Sequence, residues 1–150
     1  MKTPFLLGRI ILGGFFIYNG IHHFTNRKQM SQYAAAKKIP AANIAVAATG
    51  ALLISGGTSI VLGVKPKLGV AAILTFLLGV SPTIHDFWNV EDPNQRMADM
   101  INFSKNLALA GAALALTGLE EPWPASVPVA RSTKLERIKR LAQRSCSWAA

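Results

Sequence analysis

The chain has 150 residues, 51% of them hydrophobic and only 15% charged, where a soluble domain carries roughly a quarter charged. With a mean hydropathy of +0.31 and apolar residues arriving in long runs, that balance excludes a disordered chain and argues against an ordinary soluble enzyme domain. The chain is also formally +9, from sixteen Lys and Arg against seven acids, and that charge must lie outside the lipid.

Four windows reach the roughly 20 apolar residues that a hydrocarbon core about 30 Å thick requires. In chain order they are Phe5 to Phe24, Asn43 to Gly63, Leu68 to Trp88 and Ile101 to Leu119. None alternates as a barrel strand does, and the connections are short. An all-α, integral membrane four-helix bundle is therefore predicted over residues 1–119. Lys2 ahead of the first run imitates a signal peptide. However, the run is too long for an h-region, and the small-residue cluster Ala34 to Ala36 lies beyond Arg27 and Lys28.

The second window carries Gly50, Ser55, Gly56 and Gly57. The fourth pairs Ala108 with Ala112 and Gly111 with Ala115. Both sets are expected to be packing seams, because helices in lipid associate through small residues that let backbones approach.

Residues 120–150 form a basic tail. It opens with Glu120-Glu121-Pro122-Trp123-Pro124, a stiff exit whose Trp suits the headgroup region. Thr133-Lys134-Leu135-Glu136 then reads as a capping box. The helix it opens has a stripe of Leu135, Ile138, Leu141 and Ala142, with Arg137, Lys139, Arg140 and Arg144 on its other faces. Thr133 to Arg144 thus suits either an anionic lipid surface or a partner subunit. No nucleic acid partner is expected, since no reading module is present.

Four spans place both termini on one side, with nine basic residues: Lys2, Lys65, Lys67, Arg131, Lys134, Arg137, Lys139, Arg140 and Arg144. The opposite side has five: Arg27, Lys28, Lys37, Lys38 and Arg96. This asymmetry predicts that both termini lie in the cytoplasm. Cys146 is the only cysteine, which excludes a disulfide framework and a dithiol redox centre. Electron transfer would need a bound cofactor or a quinone.

Ionisable residues inside spans need a reason. Asn19, His22 and His23, His85 and Asp86, and Asn102, Lys105 and Asn106 all fall near one membrane face when the helices are followed up and down. Asn19, His22 and His23 share a helical face by their spacing. Pro82 frees the carbonyl of Leu78 one turn before His85, and Lys105 is the natural counter-ion for Asp86.

Three readings of this cluster are open. Its members satisfy one another; or His85 or His22 hydrogen-bonds a quinone carbonyl while Asp86 accepts a proton; or His85 or His22 ligates haem or a chlorophyll magnesium. No metal set of zinc type, phosphate loop or nucleophile elbow is present. Arg9 lies about one and a half turns inside the cytoplasmic end. It is expected either to snorkel to phosphates or to hold a carboxylate or acidic headgroup.

The run Leu7-Gly8-Arg9-Ile10-Ile11-Leu12-Gly13-Gly14-Phe15-Phe16-Ile17-Tyr18-Asn19-Gly20 resembles the opening helix of the DoxX family of small bacterial membrane proteins. Lys38-Ile39-Pro40-Ala41, the glycine-rich second span, Gly63 to Lys67, His85-Asp86-Phe87-Trp88 and Phe103-x-Lys105-Asn106-Leu107 extend the resemblance to about Gly118. It implies a four-helix inner-membrane protein, with Arg9, His85 and Asn106 matching the family's polar pattern. It further implies association with membrane oxidoreductases, one relative being the small subunit of a quinone-linked sulfur oxidoreductase. The preferred expectation is a non-catalytic accessory subunit of a larger respiratory or photosynthetic electron-transfer complex. The alternative is a quinone-reactive subunit of an oxidoreductase of the thiosulfate:quinone type.

Overall fold

The computed structural model describes residues 2–128. The helix expected over Thr133 to Arg144 lies outside the described residues. Within them the fold is all-α: α1 (Lys2–Thr25), α2 (Arg27–Ala36), α3 (Ala42–Leu62), α4 (Pro66–Ile84), a 3-10 turn (Phe87–Asn89) and α5 (Pro93–Thr117). Among the described residues, three helices are long and apolar enough to cross a membrane: α1, α3 and α4 with its 3-10 extension. α5 is 25 residues long and fills the place of the fourth expected span. It starts eight residues before the expected Ile101 and carries Arg96, Asp99 and Lys105 in its first half. The helix α2 was not anticipated, because its sequence RKQMSQYAAA has no apolar run to announce it.

Packing follows chain order, α1 on α3, α3 on α4 and α4 on α5, with α2 laid against α3. The α1–α3 crossing brings backbone onto backbone. A Cβ on Gly57 would stand 2.6 Å from the Gly13 carbonyl oxygen, and one on Gly20 would stand 2.8 Å from that of Gly50. Gly50, Gly56 and Gly57 are buried as the expected seam requires, whereas Ser55 is exposed. The seam expected on α5 faces outward. Ala108, Gly111, Ala112 and Ala115 are exposed, and the buried small residues of that helix are Ala110 and Ala113. The core is Phe16, Leu53, Ile60, Val70, Ile73, Leu77 and Ala113, joined by Trp123.

Trp123 is a correction to its expected place at the headgroups. The segment after α5 folds back beneath the bundle, and the indole is buried edge-on against Phe5 at 5.6 Å between centroids. The anchors are polar. Arg9 Nη1 and Nη2 donate to the carbonyls of Pro124 and Ala125, each at 2.9 Å. Val127 N–H donates to the Leu62 carbonyl, and the N–H of Lys67, in the first turn of α4, donates to Glu121 Oε1 at 3.2 Å. Arg9 is only 2% exposed, with Nη1 and Nη2 held by the chain's own backbone and Nε left without a partner among the described residues, so it does not snorkel outward. Charge-assisted bonds of this kind are about twice as strong as neutral ones.

Candidate functional site

At the other end of the bundle, the last turns of α1, the helix α2, the start of α3, the end of α4 and the polar half of α5 enclose a cavity of about 700 Å³. Its walls are mainly apolar, from Phe15, Phe16, Leu52, Phe76, Val80 and Ile84. Asn19, His22, His23, His85, Lys105 and Asn106 also line it. A cleft of a few hundred Å³, apolar with a few convergent polar groups, is the usual form of a small-molecule site. Six of the eight polar residues singled out from sequence therefore come together on one cavity.

Asn102 and Asp86 do not line it. α4 ends at Ile84, four residues before the expected Trp88, and the following turn carries Asp86 to Lys37, with which it forms a close ion pair. Lys105, expected to neutralise Asp86, instead donates from Nζ to Asn102 Oδ1 at 2.9 Å, one turn away on its own helix. The ion pair with Asp86 is the leading reason that the Lys37 ammonium is held above the ordinary lysine range.

The residue that sequence reasoning missed is Asp99, 2% exposed. His85 Nδ1 lies 3.3 Å from its Oδ1, Gln95 Nε2 donates to its Oδ2 at 3.2 Å, and Lys37 Nζ is 3.8 Å away. The only local signal was the one-turn spacing of Gln95 and Asp99. Lys37 and Asp99 are too distant in sequence for any spacing to join them. The carboxylate fixes the orientation of the His85 ring, as carboxylates behind functional imidazoles commonly do. Lys37 and Asp86, about one-fifth exposed like His85 itself, connect the buried Asp99 carboxylate to the surface.

The two adjacent histidines separate as their roughly 100° offset on a helix requires. His23 Nδ1–H donates to the Asn19 carbonyl at 2.8 Å, and its ring meets Phe76 edge-on at 5.8 Å. His22 is exposed, stacked on Tyr18, and its Nδ1 lies 2.9 Å from Asn26 Nδ2. Asn106 is buried beside the cavity. The Asn19 amide donates back to the Phe15 carbonyl at 2.8 Å. Phe87, Trp88 and Phe103 form a triad of edge-on contacts with centroids 5.1–5.8 Å apart, packing the 3-10 turn against α5.

Long apolar helices, a buried cationic clamp at one end and an amphiphilic cavity at the other define a small integral membrane protein. Residues 5–86, more than half of the chain, match the DoxX family, to which the chain belongs. The match takes in Arg9, both N-terminal histidines and His85, and stops before Asp99, Lys105 and Asn106. No curated protein and no solved structure matches the chain.

Proposed function

We propose that this protein is the quinone-reactive membrane subunit of an oxidoreductase, its cavity taking a lipid-soluble quinone. The observation that carries the reading is the His85–Asp99 pair at the edge of a mainly apolar cavity. The apolar walls suit a ring and isoprenoid tail, and the imidazole suits a carbonyl oxygen. Reducing a quinone to a quinol consumes two electrons and two protons. The electrons come from a redox partner subunit. His85 delivers one proton to the nearer carbonyl oxygen, with Asp99 stabilising the imidazolium and the Lys37–Asp86 edge restoring that proton from water, and the second proton reaches the other carbonyl oxygen from water. The basic residues on the side of both termini support a bacterial inner membrane with cytoplasmic ends.

The test is quinol turnover in the intact complex, with His85→Ala and Asp99→Asn compared against wild type. Loss of turnover by 10²-fold or more, with assembly intact, is expected of a general acid and its partner. Normal turnover in both variants overturns the reading, and a Soret or chlorophyll absorption band on the purified chain replaces the quinone with a tetrapyrrole held by His85 or His22.

A second reading, a non-catalytic accessory place in a respiratory or photosynthetic electron-transfer complex, is favoured by the outer face of α5. Ser104, Ala108, Gly111 and Ala115 lie there exposed at helical spacing, and a Cβ on Gly111 would meet nothing within 4 Å. A partner's helix could approach closely along that stripe. Gentle purification that recovers larger partners but no quinone supports this reading, and recovery of a free monomer removes it.

A further inference from the structure

A second cavity lies apart from the site above, between α2 and the start of α3. It is an open cleft of about 670 Å³ lined by Arg27, Lys28, Ser31, Gln32, Ala42 and Asn43. Arg27 is held across it, donating from Nε to Asn43 Oδ1 at 2.6 Å and from Nη2 to the Asn43 carbonyl at 3.3 Å. The described ion pairs at this end join Lys37 and His85 to Asp86 and Asp99. Neither Arg27 nor Lys28 takes part in them.

The backbone adds to the positive field. α3 is a 21-residue helix whose N-cap, Ala41, offers no side-chain hydrogen bond, and its first turn has no acid. The first N–H groups of a helix have no partner within it and carry the positive end of the dipole. Here the first two belong to Ala42 and Asn43, both of which line the cleft.

An independent observation comes from Ser31. Thr49, Thr75, Ser81, Thr83 and Ser104 each turn the hydroxyl back onto the carbonyl four residues earlier. Ser31 does not, and its Oγ, with under 1 Å² of surface, has no hydrogen-bond partner among the described residues. A buried donor without a partner is costly, and an acceptor group entering the cleft would satisfy it. The cleft lies where the chain passes from α1 to α3, between the ends of two helices long and apolar enough to cross a membrane.

We infer that this cleft binds a phosphate group, supplied either by the phosphodiester of an anionic phospholipid or by free phosphate. Arg27 and Lys28 provide the charge, and Ser31 with the α3 N-terminus provides the remaining donors. The site does not depend on quinone chemistry.

The experiment uses the full chain in a nonionic detergent, titrated with dihexanoyl-phosphatidylglycerol and read by native mass spectrometry. Saturable binding is expected, weakened about tenfold or more by the double change Arg27→Gln and Lys28→Gln and several-fold by Ser31→Ala, with helical circular dichroism unchanged. Inorganic phosphate that competes at millimolar concentration assigns the site to free phosphate, and failure to compete assigns it to the lipid. Identical binding by wild type and both variants overturns the inference. So does loss of all binding on changing Lys134→Gln and Arg137→Gln in the tail while the cleft variants bind normally.

Discussion

Replacing Gly57 by Ala tests the crossing on which the bundle is built. The new Cβ would lie 2.6 Å from the Gly13 carbonyl oxygen and 2.9 Å from Ile17 Cγ1, where 3.4 Å is an ordinary contact. The first obstacle is backbone and cannot rotate aside, so α1 and α3 must separate by about 0.8 Å at that point. A radial gap of 0.5–1 Å forfeits about a quarter to a half of each dispersion contact along the seam, and overpacking of this kind costs about 1–3 kcal/mol. Alanine recovers about 0.8–1 kcal/mol of helix propensity over glycine. The net expectation is a loss of up to about 2 kcal/mol. Gly111→Ala is the matched control, because its Cβ meets nothing within 4 Å; only the propensity gain remains, so this variant should be as stable as wild type or slightly more so. Both are measured by equilibrium unfolding in mixed micelles with increasing dodecyl sulfate, followed by circular dichroism. A Gly57→Ala protein as stable as wild type, or a Gly111→Ala protein equally damaged, would refute the close-approach argument.

Arg9→Lys should release the segment that folds under the bundle, because one ammonium cannot reproduce the fork across the carbonyls of Pro124 and Ala125. The expected cost is about 2 kcal/mol. In a background with Trp88→Phe and Trp148→Phe, the emission of Trp123 should shift red and become accessible to acrylamide; unchanged emission and quenching would show that Arg9 is not the anchor. Tyr33 makes a pH prediction: partial burial, and next the charge of Asp99, raise its phenol above the ordinary range. The folded state therefore holds this proton more tightly than the unfolded one. Its contribution to stability is fully present below the ordinary tyrosine pKa of about 10 and is lost as pH rises through the higher folded value. Tyr18→Phe leaves Tyr33 as the one tyrosine, so phenolate absorbance should titrate above about pH 10, and Asp99→Asn should lower that midpoint. A midpoint at or below 10, or one indifferent to Asp99, contradicts the placement of these groups.

Membrane residence, an all-α fold and the positions of the long helices were legible in the sequence, because apolar length is a local property that lipid enforces span by span. So was the gathering of Asn19, His22, His23, His85, Lys105 and Asn106 at one end of the bundle, which follows from counting residues along alternating helices; there they line one cavity. Pairing was not legible. His85 and Asp86 are neighbours in the chain, yet the end of α4 at Ile84 sends one to Asp99 and the other to Lys37. The small residues of α5 have the spacing of a seam whichever way the helix faces, and only its packing on α4 through Ala110 and Ala113 turned Ala108 and Gly111 outward. Arg9 and Trp123 are more than a hundred residues apart, and no local pattern foretold that the chain's return would bury both. Composition had left +9 of charge to be placed. The sequence by itself determined that nearly all of it lies outside the long apolar runs, since an unpaired charge in hydrocarbon is too costly. Only the tertiary structure decided which charges are paired, because ion pairs and hydrogen bonds depend on distances that the chain's folding, and not its order, brings within reach.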